Sequence, residues 1–304
     1  MKNTSNITER INKVVRYIEQ AIDRDLPLDE LAALACFSPF HFQRVFKEVM
    51  GETPKQFIKR LRLEEAARII ALNPGQKILE VAIKTGYQSL EAFSRAFKDY
   101  YAISPDNLRK CSEIEYIKIV QGPYCQNGNG DEMKLEISSS IRNPVFENLK
   151  VDIVKRAPLQ CVYLKTTLDS PHLISGSFKR IKQWSQVRGL VTEDAKLFGV
   201  VVDFPVFTPL DKCRFLVCAE VDEPAVTVGL VSYLEISSAR YAEFEIEGGI
   251  AEIFKAASFV VHSWLPDNGY KIKLEPVILV PQRDAAVTPF SGNLYRVYLP
   301  VEPE

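Results

Sequence analysis

Ser38–Lys47 reads SPFHFQRVFK, and the architecture of the first third of the chain follows from it. A serine before a proline marks a helix start: the hydroxyl caps the first turn and the ring sits at the first helical position. On that helix Phe42, Val45, Phe46 and Val49 recur at the i, i+3, i+4, i+7 spacing of one apolar face. Phe40, Gln43, Arg44 and Lys47 recur at the same spacing on another face, which bears a ring, an amide, a guanidinium and an ammonium. A helix anchored on one side and hydrogen-bonding from the other suits a DNA major groove. An ordinary amphipathic surface helix shows the same two stripes, so this segment alone does not decide.

The pattern returns about fifty residues later. Ser89–Lys98 reads SLEAFSRAFK, and a shift of 51 places Ser38 on Ser89, Phe42 on Phe93, Arg44 on Arg95, Phe46 on Phe97, Lys47 on Lys98 and Pro54 on Pro105. Upstream the shift is 50, with Leu28 on Ile78, Leu31 on Val81, Ala32 on Ala82 and Phe37 on Tyr87. The extra residue falls in the turn between two short helices, where insertion is tolerated. The repeated unit is therefore helix, turn, helix. Its second outward stripe is Glu91, Ser94, Arg95 and Lys98.

Around these units, residues 7–23 have the spacing of an amphipathic helix with Ile11, Val14, Val15, Ile18 and Ile22 inward. Pro27 separates it from a short helix, Leu28 to Cys36, and Gly51 closes the outward-reading helix in the left-handed conformation. Thr53-Pro54-Lys55-Gln56 opens a long helix with cap, proline and capping-box glutamine, and Asn73-Pro74-Gly75 stops it. Twenty residues at about 1.5 Å each span roughly 30 Å. That is close to one turn of B-DNA, about 34 Å, the separation two units need to enter successive grooves. Lys55, Lys59, Arg60, Arg62 and Arg68 on this helix are candidate phosphate contacts, Lys55 and Lys59 foremost. His41 lies between the two stripes and reads as packed or phosphate-facing, not as a general base.

Charge is unevenly spread: residues 1–112 hold 18 Lys+Arg against 14 Asp+Glu, the remainder 20 against 25. A mildly basic N-terminal part suits a polyanion, and the acidic remainder does not. No apolar run of membrane-spanning length is present, and MKNTSNITER lacks a signal-peptide core. The six cysteines show no CxxC spacing and no zinc pattern with the three histidines, which suits reduced thiols in the cytoplasm. No Ser/His/Asp set or Gly-rich phosphate loop occurs in the N-terminal part, so neither a catalytic residue, a cofactor nor a metal is expected.

Region 7–110, with these motifs, resembles the DNA-binding domain of the AraC/XylS family of bacterial transcription regulators. The matching stretches are SPFHFQRVFKEVMGETPKQFIKRLRLEEAARII and ILEVAIKTGYQSLEAFSRAFKDYYAISPDNLRK. The resemblance implies two helix-turn-helix units joined by a long helix, with double-stranded promoter DNA and RNA polymerase as partners. Carried over by position, base reading falls on Phe40, Gln43 and Arg44 in the first unit and on Leu90, Glu91, Ser94 and Arg95 in the second. Lys47 and Lys98 complete the DNA-binding stripes, Lys98 as a phosphate contact.

Residues 113–147 read as a linker, with a flexible loop at 121–132 (QGPYCQNGNGDE) and short alternations at 114–120 and 133–137 that suit a hairpin. From about 148 the pattern is strands with intervening helices, in two copies. Copy one has Val151–Lys165, a helix around 173–189, and strands at 197–204 and 213–221. Copy two has strands at 230–235 and 241–247, a helix around 250–264, and strands at 273–280 and 294–301. Tyr241, Glu243 and Glu245 alternate with Ala242, Phe244 and Ile246. A duplicated ββ-helix-ββ unit buries one sheet face under helices and leaves a groove between the copies. Cys213 and Cys218, five apart on a strand, face opposite sides.

This half resembles the GyrI-like effector-binding domain, on the pieces RAPLQCVYLKTT, WSQVRGL, ARYAEFEIEGG, WLPDNGYK and LYRVYLPV. The resemblance implies a small-molecule effector. The departures are specific: Leu168-Asp169-Ser170 and Gly248-Gly249-Ile250 stand where relatives have Gly-Pro-Tyr. Leu279 stands near the position of the pocket glutamate that binds cationic drugs in some relatives and acts in hydrolysis in others. Glu220 or Glu275 substitutes for it only by pointing inward. The pocket candidates are the aromatics Tyr163, Trp184, Tyr241 and Trp264, each of which also suits plain core packing. The expectation is a multidomain protein: an all-α double helix-turn-helix domain at 7–112, a linker at 113–147, and an α+β domain at 148–304. Its expected function is transcription regulation under small-molecule control. The alternatives are a regulator whose C-terminal domain is a protein-interaction module, and a GyrI-like hydrolase.

Overall fold

The computed structural model describes residues 2–110, 146–191, 196–203, 208–225, 229–273 and 275–304. The expected loop at 121–132 and the hairpin at 114–120 and 133–137 lie outside them. The chain divides into two compact units, Met1–Ile119 and Val120–Glu304.

The first unit is helical: α1 Lys2–Gln20, α2 Leu28–Leu34, α3 Pro39–Met50, α4 Pro54–Leu72, α5 Ile78–Lys84, α6 Leu90–Tyr101 and α7 Pro105–Lys110. Helix α1 starts before the expected residue 7 and ends at Gln20, so Ile22 lies beyond it, half-buried against the core. Ile11, Val14, Val15 and Ile18 pack with Leu31, Phe42, Phe46 and Phe57 into a first core. Val49, expected on the buried face of α3, is instead 37 % exposed. The helix closes at Gly51 (φ 76°) two residues later, and of its last turn Met50 is the side chain that packs against the first core.

Helix α4 is the strut. It contacts α3, α5, α6 and α7, so it is apolar on more than one side: Phe57 and Leu61 join the first core, while Leu63, Ala67 and Ile70 are buried as well. The capping box expected at its start is present, with Thr53 Oγ1 accepting from the Gln56 amide and Gln56 Oε1 accepting from the Thr53 amide at 3.0 Å. On the far side, Tyr87, Phe93, Phe97 and Tyr101 form a run of ring contacts with centroids 4.8–5.5 Å apart. Gly86 (φ +79°) is required by both conformation and space, because a Cβ there would lie 2.4 Å from the Ile22 carbonyl oxygen and 2.7 Å from the Arg62 guanidinium.

The second unit is α+β. Its elements are β1 Asp152–Arg156, β2 Leu159–Thr167, α8 Pro171–Val187, β3 Leu197–Val201, β4 Arg214–Val221, β5 Val231–Ile236, β6 Ala239–Glu247, α9 Ile250–Phe259, β7 Tyr270–Ile272, β8 Val277–Pro281 and β9 Leu294–Pro303. A π-helical turn, Val260–Trp264, and a last turn, Leu265–Asp267, prolong α9. All pairings are antiparallel, in the order β1-β6-β9-β8-β3-β4-β2-β5, with β7 on β9. The expected copy-two strand at 273–280 is shorter than expected, β8 starting only at Val277, and the separate short strand β7 ends at Ile272, before it.

Strand alternation gives the sheet two apolar faces. One carries Val162, Leu164, Phe215, Val217, Phe244 and Leu279 and is buried with Ile174, Phe178 and Ile181 of α8 and Ile253 and Phe254 of α9. The other carries Cys161, Phe198, Val200, Leu216, Cys218, Tyr241, Ile278 and Tyr298, and no described helix contributes to it. Cys213 and Cys218 fall on opposite faces, as their spacing requires.

Candidate functional site

The stripe on α3 is built from its cap. The Ser38 hydroxyl accepts from the His41 amide at 3.4 Å, Pro39 opens the helix, and Phe42, Val45 and Phe46 are buried. The remaining side is turned out: Phe40 is 80 % exposed, and Gln43, Arg44 and Lys47 are exposed beside it. Arg44 Nε lies 3.9 Å from Glu48, one turn on, with both side chains in solvent. His41 sets its ring edge-on to Phe37 at 4.8 Å, with Nδ1 3.5 Å from the Arg44 guanidinium, so it packs beside the stripe.

Helix α6 repeats the construction. Ser89 accepts from the Ala92 amide at 3.1 Å, and Phe93, Phe97, Tyr100 and Tyr101 are buried. Leu90, Glu91, Arg95 and Lys98 are exposed and Ser94 is half-buried. Among the described residues neither Arg95 nor Lys98 has an ion-pair partner.

The basic residues of α4 separate into two sets. Lys55 and Lys59 are exposed. Arg60, Arg62 and Arg68 are engaged within the domain, Arg68 only along its own helix. Arg60 is clamped by Glu52 at 2.7 Å and Glu64 at 3.1 Å, and these two acids raise its pKa against the opposing effect of burial. Arg62 donates to the carbonyls of Ile22 (2.7 Å) and Arg24, and Arg68 pairs with Glu65 at 2.7 Å. Sequence position did not separate these three from the lysines. The signal that was available lay in Glu52 and Glu64, acids within reach of Arg60 across a turn and along the helix.

The four aromatics expected to line one pocket do not come together. Trp184 on α8 and Trp264 in the π-helical turn are half-buried against the helix-covered core, Trp184 under the Arg188 guanidinium at 4.1 Å. Tyr163 and Tyr241 belong to the opposite, helix-free face. The helices bury their apolar sides on one side of the sheet only, and strand parity puts both tyrosines on the other. Tyr241 is buried, with its ring edge-on to Tyr298 at 6.0 Å. Burial raises the Tyr241 hydroxyl's pKa, with a further push from Glu275 and an opposing pull from Arg156.

Leu279 is fully buried and faces the helix side, while its neighbour Ile278 faces the tyrosines. The two substitute glutamates are half-buried, and each has a lysine partner: Glu220 with Lys196 at 3.7 Å and Glu275 with Lys273. Cys161 and Cys218, on adjacent strands of this face, are both buried, and the Cys218 pKa is raised by burial and by the Cys161 thiol hydrogen-bonded to it. This contact between non-consecutive strands had no signal in cysteine spacing. No three His, Cys, Asp or Glu side chains cluster as a metal site among the described residues, and no described helix is long and apolar enough to cross a membrane.

Two families of known proteins match this construction. Residues 31–110 match a helix-turn-helix domain, and residues 149–302 match the GyrI-like small molecule binding domain. The chain belongs to the GyrI-like family, with an AraC-type helix-turn-helix domain ahead of it. An uncharacterized HTH-type transcriptional regulator of Haemophilus influenzae is 35 % identical over 102 residues, 34 % of this chain and 34 % of that protein. The Transposon Tn10 TetD protein of Escherichia coli is 36 % identical over 103 residues, 34 % of this chain and 74 % of its own length. The match to the first thus spans about a third of it. Among solved structures, the DNA-binding domain of AdpA in complex with a target DNA is 24 % identical, covering 39 % of this chain and 99 % of that one, at a TM-score of 0.33.

Proposed function

We propose that this GyrI-like chain is a sequence-specific transcription regulator that binds double-stranded promoter DNA and responds to a small molecule through its C-terminal domain. One observation carries the reading. Two serine-capped helices, α3 and α6, each bury a phenylalanine pair and expose a polar stripe, and a helix of 19 residues stands between them. At about 1.5 Å per residue α4 is roughly 29 Å long, near the spacing of successive major grooves.

In this reading Arg44 and Arg95 address guanine through their guanidinium forks, Gln43 suits adenine, and Glu91 accepts from cytosine. Phe40 makes van der Waals contact, as with a thymine methyl, and Leu90 and Ser94 complete the second edge. Lys47, Lys98, Lys55 and Lys59 supply phosphate contacts, so affinity falls steeply with salt. RNA polymerase is the partner such a complex would engage, and the cytoplasm is where it would act. The domains are 7–112 and 148–304, joined by 113–147.

The C-terminal domain reads as two ββ-helix-ββ copies. Tyr163 is opposite Cys218 on β4, Tyr241 opposite Pro300 on β9, and each stands two residues before the sheet row that crosses the central β3–β8 pair. Each copy's first strand pairs with the other copy, β1 with β6 and β5 with β2. Such exchange ties the copies together and makes the helix-free face a shared surface, the natural place for an effector.

The test is selection of bound duplexes from a random pool by the full chain. The expected result is a bipartite motif whose halves lie about one helical turn apart. Recovery of no enriched sequence overturns the reading.

A further inference from the structure

Arg156 ends β1, and its side chain lies on the helix-free face, on the strand beside Tyr241. Its guanidinium carbon sits 4.0 Å from the centroid of the Tyr298 ring. Nη1 is buried and has no hydrogen-bond partner. Among the described residues no carboxylate pairs with it. Glu243, on the same face, is 3.5 Å from Arg296, and Glu275, beside Tyr241, is paired with Lys273. A buried guanidinium N–H without an acceptor is costly, and native structures keep such groups where something else completes them.

The surroundings decide what completes it. The Tyr241 and Tyr298 rings meet edge to face, and Ile278 pairs with Tyr298 across the strands. A strongly hydrated inorganic anion would have to shed its water against these rings, whereas a flat aromatic body gains by the same contact. A guanidinium presents parallel N–H donors that a carboxylate accepts as a pair. The cation is also confined to one half of the sheet. Arg156 is opposite Ala239, and the corresponding residue opposite Cys161 in the other half is Leu234. A carboxylate at the Leu279 position would face the other side of the sheet, so it does not compete.

We propose that the helix-free face binds a planar aromatic monocarboxylate, with Arg156 taking the carboxylate and Tyr241 and Tyr298 holding the ring. This deepens, and rests on, the reading of the C-terminal domain as the ligand-responsive one. It assigns an anion where the GyrI-like resemblance pointed to cations.

The experiment is titration calorimetry of the full chain with three probes of one shape: 2-naphthoate, neutral 2-naphthamide and 2-naphthylmethylammonium. Naphthoate is expected to bind, and the amide and ammonium to bind at least about tenfold more weakly, as expected for loss of a charge-assisted hydrogen bond. Arg156→Met, which keeps the aliphatic stem, is expected to lose on the order of 10- to 100-fold in naphthoate affinity. Arg156→Lys, which keeps the charge and loses the fork, is expected to recover only part of it, with unfolding midpoints confirming that both variants fold. Tighter binding of the ammonium, or naphthoate affinity unchanged in Arg156→Met, overturns the proposal. DNA affinity measured with and without naphthoate separates the two readings. Naphthoate binding that leaves DNA affinity unchanged supports the site and overturns the coupling. Absent naphthoate binding with DNA binding intact overturns the site alone.

Discussion

Tyr100 of α6 donates its hydroxyl hydrogen to Glu64 of α4 at 3.1 Å, and both side chains are buried. Glu64 in turn accepts from Arg60 at 3.1 Å, and Arg60 reaches Glu52, in the turn before α4, at 2.7 Å. One chain of charge-assisted bonds therefore runs from the end of α3, along the strut, to the second outward helix. In a low-dielectric interior every member depends on the others, because an ion left without its partner cannot recover its hydration.

Arg60→Ala is accordingly expected to destabilise the N-terminal domain by about 3–5 kcal/mol, since it strands the buried Glu64 carboxylate. Tyr100→Phe removes a single donor and is expected to cost about 1–3 kcal/mol. Urea unfolding followed by helical circular dichroism measures both. Equal stability of wild type and Arg60→Ala would show that the network contributes nothing.

Burial pushes the Tyr87 hydroxyl up to about 12 from its ordinary 10.0, against the opposing pull of Arg62. The folded pKa lies above the unfolded one, so the native state holds the proton longer. The contribution is full below pH 10 and is lost as pH rises through 12. Because the side chain is only partly buried, solvent screening keeps the effect below the full linkage value of such a shift. Tyr87→Phe is expected to match wild type at pH 8 and to exceed it in stability above pH 10. Tyrosinate absorbance against pH, with unfolding curves at each point, checks the sign.

The helical half was legible because its signals are local. Ser38 and Ser89 cap, Pro39 and Pro54 open helices, and the 3.6-residue spacing of Phe42 and Phe46 or Phe93 and Phe97 names the buried side. What stayed hidden depends on partners distant in sequence. Arg60 and Lys59 are neighbours on one helix, yet only Arg60 meets internal acids. Tyr163 and Trp184 are both aromatic and amphipathic, and only the strand's parity and the helix's side send them to opposite faces. The pairing of β1 with β6 joins residues far apart in sequence, from Arg156 opposite Ala239 to Asp152 opposite Glu243, and no pattern of a strand alone declares its partner.

Gly199 tests how tightly the helix-covered core is filled. It lies on β3 opposite Val217, and a Cβ there would meet Phe215 Cζ at 2.2 Å. The ring is fully buried and meets Phe290 edge to face at 5.8 Å, so it has little room to move away. Gly199→Ala is expected to cost about 1–3 kcal/mol through overpacking. Phe215→Leu in the same chain is expected to relieve part of that loss, which a double-mutant cycle on thermal unfolding reads directly.

The outward stripes yield the sharpest expectation. Arg44 and Arg95 are exposed, and the Arg44–Glu48 contact at 3.9 Å in open solvent is too weak to hold Arg44 away from a ligand. Arg44→Ala and Arg95→Ala are each expected to weaken binding to the selected DNA by about 1–3 kcal/mol and to relax discrimination at one position of the motif. Lys98→Ala removes a point charge and not a base-reading fork. It is expected to weaken all sequences alike and to reduce the slope of log affinity against log salt by about 0.9. Affinities for the selected site and for single-base variants at several salt concentrations separate these effects. A loss in Lys98→Ala that depends on sequence would move Lys98 from the phosphates to the base edges. Unchanged discrimination in both arginine variants would remove α3 and α6 from the grooves.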